Sequence, residues 1–357
     1  MKKLARHPLK TTIALLIAGI ASGVANAAST GGCNNYTPTT GETVTCTSTV
    51  TPAATTGVQT TENNNSNNNV TVNVGAGTAL SFQGSPIGIG SASTVTNAGT
   101  LNSGTFYYGY GISFGANGRS GAGGNTVTNT ATGVIQTGGG NAAGIYVTSL
   151  LAGSAQNSIT NAGSITTTGA NSPGIRLVNA RNTDVITNTG SISSATSDGI
   201  SVAGAANITN SGSITGAVNA VNFNNATSNT NSNTLTLQAG SNISGNLAFS
   251  TTKTSETLAF DGLTNSNFNN GVTGANIIKA INGAAVTMNS TAGYALGAGE
   301  VNVDSASSLT VAGVIQDSVT ATSINKTGVG TLTLTGANTY TGNTTISAGE
   351  LKTAASN

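Results

Sequence analysis

Charge is scarce in this sequence. Lys, Arg, Asp and Glu together make 6% of its 357 residues, where about a quarter is usual. Trp is absent, aromatic residues are 4%, and the only histidine is His7. Each shortage excludes a class of chemistry. Seven basic residues lie beyond position 27, too few and too scattered for a nucleic-acid stripe. A chain that loses its first 27 residues loses His7, so it has no imidazole base for a Ser–His–Asp triad. It also has no histidine to complete a metal site with two cysteines. The Gly-rich "GVGTLT" lacks the Gly-Lys-Ser/Thr of a phosphate loop, and "GAGGN" at 121–125 lacks the Asp of calcium-binding solenoids. No cofactor or metal is expected.

The first 27 residues are predicted to be a signal peptide. Lys2, Lys3, Arg6 and Lys10 make a basic front, Ile13 to Val24 a short apolar run, and Ala25-Asn26-Ala27 a small-residue cleavage signal after Ala27. The apolar run is too short to span a bilayer. Cys33 and Cys46 are the only cysteines. Export to an oxidising compartment makes a disulfide between them the expectation, stabilising by about 3 kcal/mol in the chain-entropy model. Residues 28–69, Thr- and Asn-rich and containing "NNNSNNN", are predicted to lead into the main fold.

One short word recurs: "VTNAGTL" at 95–101, "VTNTATGVI" at 127–135, "ITNAGSI" at 159–165, "ITNTGSI" at 186–192 and "ITNSGSI" at 208–214. The spacing shrinks from 32 to 22 residues. A second signature follows each copy: Gly111-Ile112-Ser113-Phe114, Gly144-Ile145-Tyr146-Val147, Gly174-Ile175-Arg176-Leu177, Gly199-Ile200-Ser201-Val202 and Ala220-Val221-Asn222-Phe223. Apolar residues alternate with polar ones, and no helical period appears. One unit of this size cannot bury its apolar face alone, but stacked units can. The sequence therefore predicts an all-β, right-handed parallel β-helix over 70–323, about three short strands to the coil. An antiparallel β-sandwich would not repeat itself in this way.

In such a stack Ile112, Ile145, Ile175, Ile200 and Val221 form one interior file, and Phe114, Val147, Leu177, Val202 and Phe223 a second. Asn97, Asn129, Asn161, Asn188 and Asn210 align at one corner, with their amides hydrogen-bonded along the axis. Asn-x-Gly is expected to turn the chain through left-handed backbone angles. Ser113, Tyr146, Arg176, Ser201 and Asn222 are expected to face outward.

The stretch 324–351, "INKTGVGTLTLTGANTYTGNTTISAGEL", carries Lys326, Thr327, Gly328, Gly330, Leu332, Leu334, Gly336, Asn338, Thr339, Tyr340, Gly342, Thr344, Thr345, Gly349 and Leu351. In these residues it closely resembles the autotransporter-associated β-strand repeat. The resemblance implies a type V secretion passenger, carried through the periplasm to the cell surface, outer membrane or extracellular space by an outer-membrane translocator barrel. Residues 352–357 leave no room for such a barrel, so the expectation is a fragment or a truncated frame.

The functions then in view are adhesion, autoaggregation or biofilm formation, through a host surface or matrix component or through self-association. A β-helical polysaccharide-active enzyme and an inert stalk are the alternatives. An enzyme needs paired carboxylates. Asp184 and Asp198 are the only close pair within the repeats, and their register sets them on different faces, so no catalytic role is expected. Tyr107, Tyr108, Tyr110, Tyr146 and Arg176 form the candidate ligand patch, since aromatic and Arg side chains anchor many binding surfaces. The plainer alternative has Phe106 covering the edge of the solenoid, with the tyrosines as ordinary loop residues.

Overall fold

A computed structural model describes residues 32–50, 57–60, 69–115, 123–148, 155–223, 231–297 and 299–354, the side chains of 179–182 excepted. The leader 1–27 with its Ala27, residues 63–68 of the Asn-rich run and residues 355–357 lie outside the described residues.

Alternation of small β-forming residues sets the local structure. In Thr126–Asn129 the burial alternates, with Val127 and Asn129 inward and Thr126 and Thr128 outward. The same rhythm holds in Ser158–Asn161 and Ser164–Thr167. Each strand is only three to five residues long in most coils, far too short to stand alone. Within the stack each is held by partners one coil before and one coil after it, and the strands at the ends of a column by one partner. Thr126–Asn129 pairs in parallel with Thr94–Asn97 on one side and Ser158–Asn161 on the other.

The result is a parallel β-solenoid with three columns of strands. The first column runs from Thr43–Cys46 through Thr71–Val74 and Thr94–Asn97 to Ile324–Thr327 and Thr344–Ile346. The second includes Thr100–Asn102, Val134–Thr137 and Ser164–Thr167, and the third Ile112–Phe114 and Ile145–Thr148. In some coils two columns join in one strand, as in Ile175–Asn188 and Ile200–Asn210. The second column has one break, after which Ser266–Phe268 begins a separate five-stranded sheet ending at Glu350–Thr353. Every pairing between these strands is parallel, which rules out the sandwich, and the antiparallel bridge Cys33–Cys46 stands outside them.

Two details differ from the sequence reading. Thr43–Cys46 already pairs with Thr71–Val74, so the winding reaches back into the 28–69 stretch. Nor does the period simply shrink: after a 22-residue step from Val185 to Asn207, the step to Thr234 widens to 27. The strands keep register while the connections between them vary.

The interior is a set of vertical files. Ile112, Ile145, Ile175, Ile200 and Val221 are register partners in sequence, each fully buried. Phe114, Val147, Leu177 and Val202 are aligned in the same way, and Phe223 is buried with them. Burying each such side chain contributes roughly 1.5–3 kcal/mol. Cys33 and Cys46 are disulfide-bonded and buried at the first coil.

The Asn-x-Gly turns do not use left-handed angles. None of the five file asparagines has a positive φ, nor do Gly163, Gly190 and Gly212. These glycines are required by close approach instead. A β-carbon on Gly163 would stand 2.1 Å from Gly133 O, on Gly190 2.1 Å from Gly163 O, and on Gly212 2.1 Å from Gly190 O. The corners of successive coils touch through bare backbone.

Candidate functional site

The corner between the second and third columns differs from coil to coil. In one coil it is 103–111, "SGTFYYGYG"; in the next it is the shorter 138–144, "GGGNAAG". The two are hydrogen-bonded, Gly138 N donating to Gly104 O at 2.8 Å and Tyr108 N to Gly140 O at 2.9 Å. The glycines give the aromatic corner its seat. A β-carbon on Gly139 would lie 1.8 Å from Phe106 O, and one on Gly140 2.9 Å from the Tyr107 ring. Tyr107 also accepts a hydrogen bond from Asn141 Nδ2.

Tyr108 has φ 58°, and the corner residues Asn141 and Asn171 have 53° and 52°. Asn tolerates this left-handed region, whereas a bulky side chain pays about 1–2 kcal/mol there. Phe106, Tyr107 and Tyr108 are all more than half exposed, so Phe106 does not cover the solenoid's edge.

Tyr110 turns the other way. It is 7% exposed and stacks on Tyr146 with centroids 4.4 Å apart. Tyr107 and Tyr108 meet edge to face at 4.5 Å, and Tyr108 lies 6.5 Å from Tyr110. Tyr146 is the register partner of Arg176. The five candidate residues are thus contiguous, but Tyr110 supports the patch rather than presenting a face. Burial pushes the Tyr110 phenol up to about 12, with Tyr146 adding to the rise and Arg176 opposing it. Burial raises Tyr146 also, again opposed by Arg176. Both rings stay neutral hydrogen-bonding groups. The outward file below them is not uniform: Ser113 is buried, its hydroxyl donating back to Ile87 O at 3.4 Å. Arg176 and Tyr146 are half-buried.

Beside this corner lies a groove of about 310 Å³, lined by Asn102, Thr105, Gln136, Gly138, Thr166 and Thr168 among others. Asn102, Gln136 and Thr166 are register partners in three successive coils. No charged side chain lines it.

Inside the solenoid, polar residues form files of their own. Asn97 Nδ2 donates to Asn129 Oδ1 at 2.8 Å, and the links Asn129–Asn161, Asn161–Asn188 and Asn188–Asn210 are each 2.7 Å. Spare donors reach carbonyls of the neighbouring corner, such as Asn161 Nδ2 to Ser191 O at 3.2 Å. The file is bounded by Val74 at one end and Leu237 at the other.

A second polar file escaped the sequence reading. It sits one residue before each first-column strand. Ser93 N donates to Asn125 Oδ1, Asn125 to Asn157, and Asn157 to both carboxylate oxygens of Asp184 at 3.0 and 3.1 Å. After Ala206 it resumes, with Asn233 donating to Glu256 at 3.0 Å and Glu256 N to Asn276 Oδ1. Burial raises the Asp184 carboxyl to about 6, against the pull of the Asn157 donors. Glu256 is raised for the same reason, and burial lowers Lys253 nearby. Asp198 lies elsewhere, just before the third column, accepting from Asn219 and Asn222 at 2.9 Å each. Asp184 and Asp198 do not converge. Among the described residues no cluster of three or more His, Cys, Asp or Glu side chains comes together.

The C-terminal stretch continues the same stack. Ile324–Thr327 pairs with Gly299–Val303 before it and Thr344–Ile346 after it, and Thr331–Leu334 pairs with Glu350–Thr353. Lys326 takes a place in an otherwise aliphatic file, between Val301 and Ile346. It is fully buried and donates to Thr327 O and Gly328 O at 2.7 Å and Ala348 O at 3.2 Å. Burial lowers its pKa. The period-two pattern Ile324-x-Lys326 is the signal that places it inside.

The geometry defines a class: an all-β parallel solenoid whose largely apolar interior carries two files of polar side chains, with an exposed aromatic corner among the described residues. Within it, residues 324–352 match the Passenger-associated-transport-repeat family. No curated protein and no solved structure matches the chain.

Proposed function

We propose that the chain is the exported passenger of an autotransporter, acting at the cell surface in adhesion, autoaggregation or biofilm formation. The observation that carries this reading is the passenger-associated-transport repeat, joined in register to the solenoid through Gly299–Val303. The basic, apolar and small-residue segments of 1–27 supply the export signal, with cleavage after Ala27, and a translocator barrel is the partner in the outer membrane. The coils wind right-handed, as parallel crossovers nearly always do. The role is non-catalytic: Asp184 and Asp198 are held by asparagine donors in different columns. Binding is multivalent, because many weak contacts along a long, weakly charged face add together.

The test is display. The chain is joined to a translocator barrel, and cell clumping and adherence are measured against the barrel alone. Clumping or adherence at equal surface density supports the reading. A well-displayed chain that does neither is an inert stalk, and a chain that never reaches the surface is not a passenger.

A further inference from the structure

We propose that the groove beside the aromatic corner, together with Phe106, Tyr107 and Tyr108, is a binding site for an uncharged polysaccharide. This deepens the adhesive reading above and rests on it for its biological setting.

Among the described residues, every aromatic side chain more than half exposed falls in this one tripeptide. Such a concentration marks an interaction site rather than chance exposure. The protein also holds Tyr108 at φ 58°, where the neighbouring coils place asparagine. A strained residue at a surface site points to function, and here the strain serves to stand a ring in solvent. The rings offer flat apolar faces to the C–H faces of sugar rings. The groove supplies the other half of the chemistry. Asn102 and Gln136 bring amides, and Thr105, Thr166 and Thr168 bring hydroxyls. These are donors and acceptors for sugar hydroxyls.

The spacing fits a polymer. Asn102, Gln136 and Thr166 stand on successive coils, about 4.8 Å apart, close to the advance of an extended hexose chain per residue. A glycan lying along the solenoid axis meets one polar side chain per sugar. The lining has no charge to pair with sulfate, uronate or phosphate groups, so the ligand is a neutral glycan. Tyr110, stacked on Tyr146 at 4.4 Å, fixes the corner from below.

The experiment titrates the whole exported chain with three neutral hexasaccharides, cellohexaose, maltohexaose and chitohexaose. Binding is read by calorimetry and by tyrosine fluorescence, which no tryptophan masks. The expected result is saturable binding of at least one of them, unchanged between about 50 and 500 mM salt because no ion pair is involved. Tyr107→Ala with Tyr108→Asn weakens it by about tenfold or more. Asn suits the left-handed region, so this variant melts no lower than the parent, which separates lost binding from lost folding. Gln136→Ala, an exposed groove position, weakens binding by about threefold or more. No saturable binding up to about 10 mM, or full affinity in the double variant, overturns the proposal. Clumping that persists without glycan binding overturns this inference alone. Glycan binding in a chain that supports no adhesion overturns the adhesive reading and leaves the site standing.

Discussion

Asn129 Nδ2 donates to Asn161 Oδ1 across 2.7 Å, although 32 residues separate them in the chain. Both side chains are fully buried, each pointing into the same corner of its own coil. The bond closes because the strands that carry them are in register, and four such bonds in series tie five coils together. Buried amides of this kind are worth most when every member is satisfied.

Removing one member should therefore cost more than one bond. Asn161→Ala leaves Asn129 without its acceptor and Asn188 without its donor. Each orphaned buried group costs about 1–3 kcal/mol, so the expected loss is about 2–6 kcal/mol, read from the urea midpoint. Thr160→Ala, on the outward face of the same strand, should stay within about 0.5 kcal/mol.

Asp184 gives the solenoid a pH dependence of definite sign. Its carboxyl titrates near 3.8 when unfolded and about 6 in the fold. Between those values the folded chain holds a proton that the unfolded chain has released. Its contribution to stability is complete below about pH 4 and is lost as the pH rises through 6, by about 3 kcal/mol in all. Asp184→Asn removes the buried carboxyl while keeping an acceptor for Asn157. The variant should be more stable than the parent at pH 7 and should flatten the urea midpoint between pH 4 and 7. An identical pH profile would show that the carboxyl is solvated.

Lys326 should act locally. Lys326→Met fills the same space in the file but leaves three carbonyls without their donor. Amides of Ile324–Thr327 and Thr344–Ile346 should exchange at least about tenfold faster, those of Thr126–Asn129 at the parental rate, because opening is confined to the coils that lost the contact. Uniform acceleration along the chain would mean the lysine is needed for global stability.

The two kinds of glycine can be separated. Gly77 has φ 75° with open space around it, whereas Gly163 has an ordinary φ and a carbonyl where its β-carbon would be. Gly77→Ala should cost about 1–2 kcal/mol through backbone strain. Gly163→Ala must push two coils apart and should cost clearly more, about 3 kcal/mol or above. Equal melting temperatures for the two variants would contradict the close-approach account.

The sequence carried the solenoid because like residues recur where the coils repeat. The Ile112 and Asn97 files and the 324–351 motif were legible for that reason. The Asn125–Asn157–Asp184 file was not: a lone polar residue before a strand has no contrast in a chain this rich in asparagine. The glycine of Asn-x-Gly was visible, but its cause was not, since crowding by the neighbouring coil appears only once the coils are stacked. Ser113 was misplaced for a related reason. Alternation assigns a side chain to a face of the strand, but whether that face is covered depends on what the adjacent corner brings over it. The groove was invisible because its three coils lie far apart in sequence.

The stack itself is tested most directly by distances along one outward file. Thr96, Thr209, Lys279 and Thr327 occupy equivalent register positions, four, seven and nine coils apart counted from Thr96. Spin labels placed in pairs at Thr96 with each of the others should give pulsed-EPR distances near 19, 34 and 43 Å, rising in proportion to coil number at about 4.8 Å per coil. Distances that do not grow with coil number would contradict the parallel stack.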